Sequence, residues 1–425
     1  MSFNALGLEA RILKAVQEAG YTEPTPIQAA AIPPALAGQD LIGIAQTGTG
    51  KTAAFTLPIL SQLAAAAAGE RRRGSKVLVL APTRELVVQI EENVRAYARY
   101  LPLNIATIFG GVGEQPQIRA LRAGADIVIA CPGRLLDLLG RRFGDFSQLQ
   151  HLVLDEADRM LDMGFLPSIR QVVRGLPKNR QTLLFSATLS REIEGLTKEF
   201  QRNPKTIQIG RRSNPAETVT QFVYEVPKHL KSALLIHLLQ DPNLNMVLVF
   251  SRMKHGADRL ARQLESRGIT TATLHSNRSQ SQRLRALKDF KSGEVRVLVA
   301  TDIAARGIDV DGISHVVNFD FPEHAEDYVH RIGRTGRAHS VGDAISFVTP
   351  EDYPDLRALE RFIGRGIVRK KADGFDYQAP PAPRTQEESR GSRDSHRPPP
   401  RGFRGSAPSS RGGPRRSGPP RRFRR

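Results

Sequence analysis

The sequence predicts an α/β protein of two similar halves, each a mostly parallel sheet covered by helices, followed by a basic tail without a core. Three observations carry this. Short aliphatic runs without polar alternation, such as Val77–Leu80 and Val297–Ala300, read as strands buried on both faces. Segments with apolar residues at helical spacing, such as Ala257–Arg267, separate them, and strand–helix alternation implies parallel sheets. The strand series stops at a polar stretch, Ile209–Thr218, which contains Asn214 and Pro215, and then restarts.

In chain order, the first series of expected strands is Asp40–Ala45, Lys76–Ala81, Ile105–Phe109, Asp126–Ala130, His151–Leu154 and Gln181–Phe185. The second is Met246–Phe250, Thr270–Leu274, Val295–Ala300, His315–Phe319 and Asp343–Val348. This layout places one domain over 1–208, a linker over 209–218, a second domain over 219–368 and a tail over 369–425.

A chain of 425 residues suits two compact domains, and 40% hydrophobic with 25% charged residues is ordinary globular composition. No apolar run is long enough to cross a bilayer and no signal-peptide layout opens the chain, so membrane association is not expected. The single cysteine, Cys131, excludes an internal disulfide framework and a Cys-rich zinc site, which fits a reducing cytoplasm. The net charge of +19 points to an anionic polymer as partner. Its distribution is uneven: 379–425 holds 13 Arg, no Lys, ten Pro and only three acids, and so more than half of the excess charge. Such a segment has no apolar surface to bury and is expected to stay disordered, its arginines free to meet phosphates and Phe403 and Phe423 to stack on unpaired bases.

Nearly every unusual polar cluster follows the C-terminal end of an expected strand, the edge where open α/β sheets bind ligands. The most specific is Ala45–Thr52. Its glycines let backbone N–H groups curl around phosphate oxygens at the start of a helix, whose N-terminus adds positive potential. Lys51 would neutralise the outer phosphates and the Thr52 hydroxyl would ligate Mg²⁺. Ala45 stands where the generic pattern has glycine. At another strand tip, Asp155 can hold Mg²⁺ through water and Glu156 can orient an attacking water, although three acids within 155–158 also suit a helix N-terminus. In the second half, His330–Arg337 offers guanidinium forks at Arg334 and Arg337, to be read as arginine fingers or as a basic surface turn. The segment Thr301–Asp309 is equally readable as a capped helix start.

These motifs, in this order, resemble the DEAD-box RNA helicases of superfamily 2 from about Phe3 to Val348. The wording is closest to the bacterial RhlE subgroup at Met163–Leu166, Val299–Gly307 and Asp327–His330. Cys131, where the family usually has Thr, and Ser276, where it usually has Gly, are minor departures. The resemblance implies two tandem RecA-like domains that close on ATP and Mg²⁺. It assigns ATP binding to Phe3, Tyr21, Gln28, Gln46, Thr47, Gly48, Thr49, Gly50, Lys51, Thr52 and Asp309, with Gln28 reading the adenine edge. Catalysis falls to Lys51, Asp155, Glu156, Arg334 and Arg337, with Mg²⁺ at Thr52 and Asp155, largely through water. Asp158, Ser186, Thr188 and His330 would couple ATP state to closure. RNA contacts would come from Pro82, Thr83, Arg84, Gly111, Pro132, Gly133 and Arg134 in the first domain. Arg252, Gln280, Arg283, Thr301, Asp302 and Gly307 would supply them in the second. The implied partner is RNA, single-stranded or short duplex, in ribosomal or RNA-decay complexes of the cytoplasm. The activity implied is ATP-dependent unwinding or remodelling. An ATP-timed RNA clamp or assembly factor uses the same residues and stays open at this stage.

Overall fold

The computed structural model describes residues 2–45, 48–66, 74–209, 219–305, 310, 312–335 and 342–381. The first sheet contains β1 (Leu41–Ile44), β2 (Val77–Leu80), β3 (Ile105–Ile108), β4 (Ile127–Ala130), β5 (His151–Leu154), β6 (Gln181–Ser186) and β7 (Lys205–Gln208). The second contains β8 (Val219–Glu225), β9 (Val247–Phe250), β10 (Thr271–Leu274), β11 (Val297–Ala300), β12 (His315–Asn318), β13 (Gly342–Val348) and β14 (Val368–Lys370). Their orders are β3-β4-β2-β5-β6-β1-β7 and β10-β11-β9-β12-β13-β8-β14. Every neighbouring pair is parallel.

The uninterrupted aliphatic runs have the burial expected of them. Val77 and Val79 of β2 enter one core while Leu78 and Leu80 enter the core on the opposite face. β4 divides in the same way, Ile127 and Ile129 against Val128 and Ala130. Burying each such side chain contributes on the order of 2 kcal/mol, so these strands are stable only with both faces covered. Register then aligns the strand ends. Leu80 pairs with both Ala130 and Leu154, Ile44 with Ser186, and Phe250 with both Ala300 and Asn318. The polar segments that follow therefore emerge at one edge of each sheet.

Three strands were not expected. β7 and β14 are sheet edges, with Ile207 the one buried residue of β7 and all of β14 exposed. β8 alternates buried and exposed residues next to that edge. A strand wetted on one side lacks the aliphatic run that identified the others. β14 also carries folded chain beyond the boundary expected at 368. Beyond it, His237 bonds the Asp373 carbonyl at 2.9 Å, and the Tyr377 hydroxyl accepts from the Ala372 amide at 2.9 Å. Most of the linker (210–218) and most of the tail (382–425) lie outside the described residues. Among the described residues no helix is long and apolar enough to cross a membrane.

Candidate active site between the two sheets

The phosphate loop joins β1 to the helix Lys51–Ala66. Gly48 and Gly50 have φ of 80° and 90°, a region that side chains resist. A Cβ on Gly50 would also lie 2.3 Å from Gln28 Nε2, so glycine is required there twice over. Thr52 occupies the first turn of the helix, half-buried, and Thr49 is half-buried in the loop. Lys51 is buried and donates from Nζ to the Ala45 carbonyl at 2.8 Å. Gln46 and Thr47 lie outside the described residues.

Gln28 is 1% exposed, with its amide held between two backbone groups. Its oxygen accepts from the Thr25 N–H at 2.9 Å and its nitrogen donates to the Gly50 carbonyl at 3.2 Å. An amide oxygen has a second lone pair and the NH₂ a second hydrogen, so each end keeps capacity for a base. Phe3 packs in the core, edge-on to Tyr21 at 6.4 Å, whereas the Tyr21 ring is 38% exposed.

Asp155 and Glu156 follow β5 directly. Burial pushes the Asp155 carboxyl up to about 7, with Lys51 pulling it down and Glu156 adding to the rise. Glu156 adopts φ of 52°, rare for a side-chain-bearing residue and typical of strained functional positions. Burial alone would raise its carboxyl. Arg159, Lys51 and Arg334 outweigh that and hold it below the ordinary carboxylate range. Arg159 donates directly to it. Asp158 Oδ2 accepts from the backbone amides of Ala187 and Thr188 at 2.9 and 3.0 Å, and from the Thr188 hydroxyl at 3.3 Å. The Ser186 hydroxyl is buried without a hydrogen-bond partner.

The second domain meets this carboxylate group. A cavity at the junction is lined by Arg159 of the first domain and by Asp302, Asp327, His330, Arg331 and Arg334 of the second. Burial lowers His330 below the ordinary imidazole value and Arg159 adds to this, while Asp158 opposes it. His330 is therefore neutral at neutral pH. Arg337 and Asp309 lie outside the described residues, as does Gly307.

The remaining expected contacts sort into two groups. Thr83 caps the helix Arg84–Tyr97 by accepting from Leu86 N–H at 3.3 Å, beside buried Pro82. Gly111 has φ of 81°, and a Cβ there would lie 1.8 Å from an Arg84 nitrogen, so the guanidinium rests on bare backbone. Pro132 and Gly133 open the helix Pro132–Gly140, and Arg134 carries a buried Nη1 without a partner, an orphan donor suited to a phosphate. Thr301 is half-buried at the tip of β11.

The other group meets protein partners in this structure. Gln280 and Arg283, expected on RNA, face the first domain. Arg84 donates to Gln280 Oε1 at 3.4 Å, and Glu85 accepts from Gln280 at 3.1 Å and from Arg283 at 2.9 Å. Asp302, also expected on RNA, is held bidentately by Arg331, with Nη2 to Oδ2 at 2.7 Å. Arg252 turns back onto the Phe321 carbonyl at 3.2 Å and Glu323 at 3.4 Å. In each case a nearby charged group or carbonyl of the protein bonds the side chain expected to meet RNA.

Residues 25–196 match the DEAD/DEAH box helicase family and residues 230–339 the helicase conserved C-terminal domain. The chain is 42% identical over 375 residues to the DEAD-box ATP-dependent RNA helicase CshA of Streptococcus pneumoniae, covering 88% of this chain and 70% of that one. It belongs to the DEAD-box RNA helicase family. DEAD-box ATP-dependent RNA helicase 30 of Arabidopsis thaliana is 46% identical over 354 residues, 83% of this chain but only 60% of that relative's length. Among solved DEAD-box structures, S. cerevisiae Dbp5 bound to RNA and ADP BeF3 superposes with a TM-score of 0.78 at 31% identity, over 88% of this chain and 96% of that one. Mss116p bound to ssRNA and AMP-PNP gives 0.80 at 27% identity, over 88% and 80%.

Three residues at the domain junction escaped the sequence reading. Glu85 stood inside a quoted motif, but its cross-domain partners lie 195 and 198 residues away. Arg159 directly follows the acidic motif yet looks like an ordinary helix residue. Arg331 had a visible signal, sharing the arginine-rich segment with Arg334, but its partners Asp302, at the start of the short helix after β11, and Asn318, in β12, come from distant segments. Glu85 tests the cross-domain contact directly. Glu85→Gln keeps the shape and loses the charge, and a charged hydrogen bond contributes about 1.5–3 kcal/mol. The RNA concentration giving half-maximal ATPase stimulation is expected to rise roughly tenfold or more. An unchanged value would remove Glu85 from holding the domains together.

Proposed function

We propose that this chain is an RNA-dependent ATPase that couples ATP binding and hydrolysis to local RNA duplex unwinding or RNA–protein remodelling. One observation carries the reading: Glu156 is held charged by Lys51 and Arg159 of the first domain together with Arg334 of the second. Phosphate-binding, water-orienting and charge-stabilising groups thus converge from both sheets, as phosphoryl transfer requires. Thr52 and Asp155 supply the hard oxygen donors that Mg²⁺ takes, and the few protein ligands suit an ion that keeps waters and phosphates in its shell. When bound, Mg²⁺ neutralises charge on the phosphates. Lys51 leaves the Ala45 carbonyl for the phosphate oxygens, Glu156 orients the water, and Arg334 stabilises the charge developing on the transferred group. Arg337 is assigned a second finger by the same motif.

ATP and RNA both favour the joined domains, so each strengthens binding of the other. Arg84, Arg134 and the backbone at Gly111 and Gly133 form the first-domain side of the RNA path. The quoted phrases around Met163, Thr301 and Tyr328 support assignment to the RhlE subgroup. The resemblance extends the partners to ribosomal or RNA-decay complexes. A cytoplasmic setting is supported by the cysteine usage, a single Cys131 with no second cysteine to form an internal disulfide.

The test is ATP turnover with RNA, with DNA and with neither, beside strand displacement on a short duplex. Stimulation by RNA alone with displacement supports the reading, and equal stimulation by DNA overturns the RNA assignment. RNA-stimulated turnover without displacement would favour the clamp. Nucleotide choice follows from Gln28. A site built to hydrogen-bond a base rejects analogues that leave its groups unpaired, so ATP is expected to be used well ahead of GTP. Gln28→Ala is expected to raise the KM for ATP at least tenfold. Equal turnover of GTP and ATP by the parent protein would release Gln28 from this role.

A further inference from the structure

The helix Arg84–Tyr97 is anchored at both ends by contacts of different kinds. Its 14 residues span about 20 Å at 1.5 Å per residue. At the N-terminal end, Arg84 and Glu85 meet Gln280 and Arg283 of the second domain, a contact that exists only while the domains are together. At the C-terminal end, Tyr97 is buried, and its hydroxyl lies 3.0 Å from that of Tyr21. The two rings meet edge-on at 5.9 Å, and Tyr21 in turn meets Phe3. Just beyond the helix, Arg99 and Tyr100 both bond Glu18 at 2.7 Å, which braces the same end against the N-terminal helix Ala10–Glu18.

Tyr21 leads into Thr25 and Gln28; the Thr25 N–H donates to the Gln28 amide oxygen, and the Gln28 amide nitrogen donates to the Gly50 carbonyl of the phosphate loop. One rigid element therefore touches the adenine side of the nucleotide site at one end and the domain junction at the other. The bland alternative is that the tyrosine pair is packing at a half-exposed surface. Packing accounts for the ring contact. It does not require two hydroxyls to be aimed at each other, on a helix whose opposite end crosses between the domains.

We infer that Tyr97 is a positioning residue: it holds Tyr21 beside the base and links base occupancy to the Glu85 contact across the domains. This rests on the proposed ATP- and RNA-dependent closure. The bistable element is the domain junction, together or apart, and both ends of the helix bias it.

The experiment measures binding of a fluorescent non-hydrolysable ATP analogue with and without saturating oligouridylate. The readout is the ratio of the two dissociation constants. Tyr97→Phe removes one hydroxyl and no ring, and is expected to shrink the ratio about three- to tenfold, the scale of one hydrogen bond. Val94→Ala, on the same helix and buried, loosens packing without touching either hydroxyl. It is expected to lower Tm and leave the ratio alone. Combined with Glu85→Gln, Tyr97→Phe is expected to act less than additively, because both variants interrupt one connection. A parental ratio in Tyr97→Phe overturns the inference, as does an equal loss in Val94→Ala or full additivity with Glu85→Gln. Absence of any RNA effect in the parent protein overturns the functional reading itself, and this inference with it.

Discussion

Arg334→Lys is expected to lower RNA-stimulated ATP turnover by on the order of 10³-fold or more, the scale of a lost arginine finger, while ATP still binds. The substitution keeps the positive charge and removes the planar fork. The structure makes the test sharp because Arg334 is only 3% exposed and acts on Glu156 from the opposite domain. A lysine ammonium is compact and strongly hydrated, so it reproduces neither the reach nor the two parallel N–H groups. Turnover is to be measured at saturating ATP and RNA, with ATP-analogue binding followed separately. Near-parental turnover would return Arg334 to a purely structural role, anchored through its own contact to the His330 carbonyl at 3.4 Å.

Glu156→Gln is expected to lower turnover by roughly 10²- to 10⁴-fold, the range for removing a positioned general base. Binding should survive, since the amide keeps the shape and can still accept from Arg159. Lys51 remains in place for the phosphates, so the variant should take up ATP and RNA and hold both. RNA release is then expected to slow with hydrolysis, because phosphate loss is what frees the domains to part. The distinguishing measurement is a single-turnover experiment with RNA dissociation read in parallel. Hydrolysis at the parental rate would show that another group orients the water.

The parts of the site legible in the sequence are those whose chemistry is local. Gly48, Gly50, Lys51 and Thr52 lie within one loop and one helical turn, and the aliphatic run before them marks the strand. Asp155 and Glu156 follow a strand in the same way. The contacts assigned to RNA were less legible. Arg252, Gln280 and Arg283 carry donors suited to phosphate and Asp302 an acceptor suited to a ribose hydroxyl, yet each meets a protein partner first. A guanidinium fork suits a carboxylate as well as a phosphate, and the residue type alone does not choose between them. The edge strands β7 and β14 escaped for a related reason: exposure removed the apolar pattern that betrays a buried strand.

By itself the sequence indicated the buried strands of the two sheets, the phosphate-loop motif, the acidic pair after β5 and the arginine-rich turn of the second half. Each of these is set by backbone geometry and side-chain periodicity over fewer than about ten residues. Tertiary structure decided which charges face one another. Arg334 beside Glu156, Glu85 against Arg283, Arg331 holding Asp302 and Tyr97 meeting Tyr21 all depend on how distant segments pack. Hydrogen bonds are lost beyond about 3.5 Å and Coulomb attraction is screened over about 10 Å, so only the packed fold selects these partners from the many arginines and acids the chain contains.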